Sequence, residues 1–183
     1  MKSVEGIILK KSPRREADAV FTLYTKEHGL MELVAKGVRK GSAKLKSGLD
    51  VFNHAEIFYA PAKHWSIITD FKIKNNFKNI KQNLFRLKLT HFASVAILKI
   101  FEPGLAEPRV WQKVLDFFTG LENSQSNKEE LIGSTYFWCH DILVLNGLNP
   151  RSPDFSPINT VDLKKKTEEL FFYHFGISIS KLI

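Results

Sequence analysis

Five cations and no acidic residue occupy the stretch Ala35-Lys36-Gly37-Val38-Arg39-Lys40-Gly41-Ser42-Ala43-Lys44-Leu45-Lys46. Lys36, Arg39, Lys40, Lys44 and Lys46 are of a type that holds phosphate, because neutralising phosphates releases counterions. The glycines leave backbone amides accessible for further hydrogen bonds to phosphate oxygens, with Gly37 shaping the loop. A merely solvated basic loop is the alternative, and the run's length and its place between predicted strands weigh against it. Nucleotide hydrolysis is not indicated: Gly37 to Ser42 lacks the Gly-x-x-x-x-Gly-Lys-Ser/Thr order and the helix that should follow. Arg14 and Arg15, in the turn after Lys10 and Lys11, are placed to extend the same phosphate track.

Covalent chemistry has little to work with. Cys139-His140-Asp141 contains the residue types of a nucleophilic triad, but consecutive residues of a helix point away from one another and form no relay. A core cysteine beside a surface pair is the expectation. His28, His54, His64, His91, His140 and His174 show no metal-ligand spacing, so neither a metal nor a cofactor is expected. The single cysteine excludes an internal disulfide and a four-thiolate zinc site and suits a reducing, cytoplasmic setting. Of the aromatic residues in the first half, Phe52, Phe58, Tyr59, Trp65 and Phe71 have the rings to stack on unpaired bases, although most are expected in the core.

The elements that position these residues change character along the chain. Stretches near 3–11, 17–26, 29–38, 51–60 and 64–74 read as strands from their β-branched and aromatic content and the turn residues between them. Glu27-His28-Gly29 and Ala60-Pro61-Ala62-Lys63 make hairpin connections. In the fourth strand Ala55, Ile57 and Tyr59 share one side. Five antiparallel strands in so short a stretch make a small barrel, of which the OB-fold is the common basic example.

From about residue 80 the period becomes helical. A helix over 80–101 carries Leu84, Leu87, His91, Val95 and Leu98 on one face and Phe85, Leu89, Phe92 and Ala96 on the next. Pro108 opens another helix, Ser126 and Glu129 have capping-box spacing for a third that ends at Asn146-Gly147, and a last helix over 161–175 ends at Gly176. The fold class is therefore α+β: a five-stranded OB-fold barrel over 1–78, then an all-α helical bundle over 79–183.

The formal net charge of +8 is unevenly spread. Residues 1–81 hold 16 Lys+Arg against 8 Asp+Glu, and the remainder holds 11 against 11. All the excess lies in the barrel half, as expected where one half meets a polyanion. No basic amphipathic helix accompanies it and no apolar run is long enough to span a bilayer, so a membrane is not the expected partner.

One pattern is more specific than composition. Ser3-Val4-Glu5-Gly6-Ile7-Ile8-Leu9, then Gly29, then Ala35-Lys36-Gly37-Val38-Arg39-Lys40 running into Lys44-Leu45, Leu49 and Phe52, resembles the N-terminal signature of the RecO family. Glu107-Pro108 and Gly147-Leu148-Asn149-Pro150 match that family's landmarks in outline. The resemblance implies an OB-fold that binds single- and double-stranded DNA and anneals complementary strands. It also implies partnership with RecR and with the acidic C-terminal tail of single-stranded DNA-binding protein, so that RecA is loaded, in a cytoplasmic, nucleoid-associated setting. Carried onto matching positions, it makes Lys36, Arg39, Lys40 and Lys44 DNA-contacting. Where many members carry a zinc-binding cysteine cluster, this chain has Arg151-Ser152-Pro153-Asp154, and it is shorter than is usual for the family. In the helical half, an apolar groove rimmed by Arg86, Lys88 or Lys99 would receive the acidic, Phe-ended tail. Two other readings stay open: a general RNA-binding OB-fold protein, and a non-enzymatic scaffold for acidic protein partners.

Overall fold

The computed structural model describes residues 1–39, 49–148 and 160–181. They form two compact units, one made of Met1–Phe77 with Phe101–Trp111 and the other of Lys78–Ile100 with Gln112–Ile183.

The first unit is built on β1 (Lys2–Arg14), β2 (Asp18–Thr25), β3 (Gly29–Ala35), β4 (His54–Ala60) and β5 (Ile67–Asn75), closed into a barrel in the order β1-β2-β3-β5-β4. Closure depends on the length of β1. Its first residues pair with β4 from Lys2↔Tyr59 to Ile7↔His54, and its later ones with β2 from Gly6↔Thr25 to Arg14↔Asp18, with an irregularity between Ile8 and Lys10 that lets the strand bend. The last seam is a single parallel pairing, Val34↔Ile67. Inward-facing Val4, Ile8, Phe21, Leu23, Leu33, Ala55, Ile57, Tyr59 and Ile68 fill the barrel, joined by Val38 and Leu49. Removing this much apolar surface from water is the main term holding the barrel together.

Several strand ends differ from expectation for local reasons. Phe52 has φ 69°, a left-handed conformation that an extended strand does not accommodate, so β4 begins at His54 rather than near residue 51. β3 stops at Ala35 because Gly37, at φ 66°, turns the chain. Residues 61–66 form the β4–β5 connection, and β5 begins only at Ile67. Beyond the strands, Pro103 bridges Gly29 and Leu30, and the Phe101 ring packs 5.5 Å from that of Tyr24. Gly29 is required there: it has φ +62°, and a Cβ would lie 2.1 Å from the Leu105 carbonyl oxygen.

The helices are α1 (Lys78–Gln82), α2 (Leu84–Ile100), α3 (Pro108–Asn123), α4 (Lys128–Leu145) and α5 (Thr160–Phe175). The continuous helix expected over 80–101 is two, because the Asn83 side chain accepts hydrogen bonds from the amides of Phe85 and Arg86 and restarts the helix. Of its two expected faces, the one carrying Leu89, Phe92 and Ala96 lies in the core, and the one carrying Leu84 and His91 does not. Leu89, Phe92, Ala93, Ala96 and Ile97 are buried, whereas Leu84 is 72% exposed and His91 lies in solvent. The cap of α4 is Asn127, whose side chain accepts from the Glu130 amide at 3.0 Å, and not the expected Ser126. Gly147 at φ 75° and Gly176 at φ 63° follow α4 and α5, as the sequence predicts. Among the described residues no helix is long and apolar enough to cross a membrane.

Candidate nucleic-acid interface

Three connections far apart in sequence meet at one end of the barrel. The β1–β2 turn passes through Arg15 at φ 50° and leads into Asp18, whose carboxylate accepts the Gly37 amide at 2.8 Å. The Arg39 amide donates to the Ala17 carbonyl at 2.9 Å, and its guanidinium donates to the Arg15 carbonyl at 3.1 Å. Buried Val38 anchors this stretch in the core between two exposed cations, Lys36 and Arg39. The β4–β5 connection joins them because the Val34 amide donates to the Ser66 carbonyl at 2.9 Å, the bond beside the barrel's last seam.

A cleft of about 490 Å³ results, lined by Arg14, Arg15, Lys36, Lys63, His64 and Trp65 together with Asp18 and the apolar Val34, Ala62 and Ile67. The one carboxylate in that lining, Asp18, is bound to the Gly37 amide, so its four Lys and Arg side chains dominate the local field. Arg14 sits over the Trp65 ring, 4.3 Å from its centroid. In OB-folds the loops between strands 1 and 2 and between strands 4 and 5 border the oligonucleotide face, and both border this cleft.

The structure thus gathers Arg14, Arg15, Lys36, Gly37 and Arg39 of the sequence-predicted site. Lys40, Lys44 and Lys46 lie outside the described residues. Sequence reasoning missed Lys63, which stood in a stretch read only as a hairpin turn, and His64, which was expected at the start of the fifth strand; both instead lie in the β4–β5 connection. Of the aromatic residues, Phe52 and Tyr59 are buried, Phe71 packs against the core, and Phe58 and Trp65 are half-buried, with Trp65 the one that lines the cleft.

The cations expected to rim a groove in the helical unit are placed apart. Arg86 donates to the carbonyls of Glu122 at 3.2 Å and Ser124 at 2.7 Å, Lys88 is exposed, and Lys99 reaches the Phe175 carbonyl at 3.4 Å. From Arg86 to Lys99 is roughly 20 Å along the helix. An apolar cleft in this unit runs between α3 and α4, lined by Phe117, Leu121, Leu131, Phe137 and Trp138, with the Lys113–Asp141 ion pair at its edge.

Two further titratable groups have structural surroundings. Near the start of β1, Glu5 accepts from His54 at 2.9 Å and pairs with Lys74 at 2.6 Å. Burial pushes the His54 imidazole below its ordinary pKa, partly offset by Glu5; burial pushes Glu5 up, but the bonds from Lys74 and His54 outweigh this and hold it below the usual carboxylate value. Cys139 is fully buried, which pushes its thiol well above the ordinary value and leaves no ready thiolate. His140, expected at the surface, is 9% exposed. Among the described residues no group of three His, Cys, Asp or Glu side chains is placed to hold a metal.

A closed five-stranded barrel of this kind, followed by helices, defines an OB-fold protein with an attached helical unit. Residues 1–77 match the family model described as recombination protein O N terminal. Over this domain the chain is similar to the RecO family. It is similar to the DNA repair protein RecO of Syntrophomonas wolfei, 26% identical over 122 residues that cover 67% of this chain and 49% of that protein. Against the DNA repair protein RecO of Dehalococcoides mccartyi strain 195 the identity is 28% over 145 residues, covering 79% and 56%. Strain BAV1 of the same species gives 31% over 120 residues, covering 65% and 47%. The chain spans about half the length of the curated relatives it matches.

Proposed function

We propose that this chain is a DNA-binding mediator of recombinational repair, acting by binding rather than by bond-making chemistry. The observation that carries the reading is the cleft at the end of the barrel, where Arg15, Lys36 and Lys63 stand beside Trp65 and the Arg14 guanidinium. Phosphate contacts of this kind position a nucleic acid without reading its sequence. Lys40, Lys44 and Lys46 continue the same basic run and are assigned to the same path. The recombination protein O model that the barrel matches, and relatives named as DNA repair proteins, support DNA as the ligand.

In this reading the protein holds single- and double-stranded DNA, promotes annealing, and works with RecR and the acidic tail of single-stranded DNA-binding protein so that RecA is loaded. The helical unit is assigned the tail, with exposed Lys88 among the cations that meet it. Fluorescence-monitored annealing of complementary strands, run with and without the single-stranded DNA-binding protein, tests the whole. Faster annealing, and relief of the block by that protein, are expected. Preference for RNA of matched sequence would transfer the reading to an RNA-binding protein, and binding of neither nucleic acid would leave a scaffold for acidic proteins.

A further inference from the structure

The cleft contains a feature that phosphate binding does not need. Of the three tryptophans, Trp111 and Trp138 are only 4% and 5% exposed, whereas Trp65 is half-buried in the β4–β5 connection and stands outside the barrel's core cluster. Its backbone is nevertheless fixed. Ala60 and Ile67 pair across the connection, and the next residue, Ser66, takes the Val34 amide. Its ring lies under the Arg14 guanidinium, and Arg14 is itself held at the end of β1 by pairing with Asp18. A guanidinium at the end of β1 and an indole in the β4–β5 connection therefore meet across a cleft in which, among the described residues, no other cation lies over a ring, in a space of a size suited to small ligands.

We infer that the Arg14–Trp65 pair is a base-stacking platform that gives this site its preference for unpaired bases. This rests on the DNA-binding reading above and divides its labour: Arg15, Lys36 and Lys63 hold phosphates of any strand, and Arg14 with Trp65 takes one base as a further layer of the stack. A base in a duplex already has neighbours on both faces and reaches such a platform only by leaving the helix, so the contact is available to single strands. Every base has a π-face, so the platform selects strandedness and not sequence. When two strands pair, the base withdraws into the duplex, which is then held by phosphate contacts alone and is the weaker ligand.

The test uses the full chain with a labelled single strand, the same strand carrying abasic sites, and the matching duplex, measured by anisotropy at low salt. Trp65→Ala is expected to weaken the single strand roughly tenfold, as loss of one stacked base does, and the duplex far less. Trp65→Leu keeps apolar bulk in case alanine disturbs the connection, and is expected to behave in the same way, while Trp65→Phe retains most of the affinity. Arg14→Lys keeps the charge but not the plane, so the single-strand advantage falls while salt dependence persists. Single strands, and not abasic ones, are expected to quench tryptophan fluorescence, and Trp65→Phe to abolish the quench. Full single-strand affinity in folded Trp65→Ala and Trp65→Leu, or equal losses for strand and duplex, would overturn the platform while leaving DNA binding intact. If the unaltered chain binds neither, the DNA-binding reading fails and the platform with it.

Discussion

Replacing Lys36 and Lys63 together by alanine probes the cleft with least damage to the barrel. Both side chains line the cleft and both are exposed, whereas Arg39 also ties the β1–β2 turn through the Arg15 carbonyl and would confound the result. Each phosphate neutralised on a single strand contributes about −0.7 to the slope of log K against log salt. With Arg15, Lys36, Arg39 and Lys63 each taking one phosphate, the slope is about −2.8, and affinity falls about fiftyfold between about 50 and 200 mM salt. Without Lys36 and Lys63 the slope flattens by about 1.4, and the same change of salt costs only about sevenfold. Lys40, Lys44 and Lys46 follow in the same basic run and steepen the absolute slope wherever they reach DNA, so the decisive quantity is the difference between the two proteins. Folding stability should change little, because exposed charges contribute little to it. Anisotropy titrations of one labelled strand at several salt concentrations supply both slopes, and circular dichroism checks the fold. An unchanged slope in the folded double variant would refute the assignment of this cleft to phosphate.

Three other outcomes follow from the fold. Gly29→Ala should destabilise the barrel unit by about 2 kcal/mol or more in denaturant unfolding, since it combines a positive φ with a backbone collision at Leu105. Glu122→Ala should cost the helical unit about 1–3 kcal/mol, because the carboxylate that receives the Asn79 and Ile80 amides is lost and the latter bond is buried. His54 binds its proton less readily in the fold than the ordinary value of 6.5 implies, so the unfolded chain takes up more protons as pH drops below about 6.5. Its contribution is then full above that pH and is lost as pH falls through the lowered folded value. His54→Gln should flatten this acid limb, leaving the later loss from Glu5, which begins below about 4.5.

The barrel's strands were legible because inward positions alternate, as Ala55, Ile57 and Tyr59 do, and because Gly29 and Pro61 punctuate them. Its closure was not: the parallel seam at Val34↔Ile67 is one long-range pairing with no local signature. Phe52 escaped notice because an aromatic residue gives no sign of a left-handed backbone. Asn83 was lost inside an apolar helical pattern, although its side chain is what interrupts it. The basic run announced part of the site through charge alone. That Arg14, Lys36 and Trp65 share one cleft depends on tertiary closure, and the aromatic and β-branched content of 64–74 reads as strand from its first residues although β5 begins at Ile67.

The central claim, that nucleic acid meets the barrel at this end, is tested most directly by photo-crosslinking the full chain to a single strand bearing a photoreactive base and mapping the adducts by peptide mass spectrometry. The account predicts adducts on peptides containing Arg14 to Asp18, Lys36 to Arg39 and Lys63 to Trp65. Adducts confined to the helical unit, or to the strand ends that carry Glu5, His54 and Lys74, would contradict it.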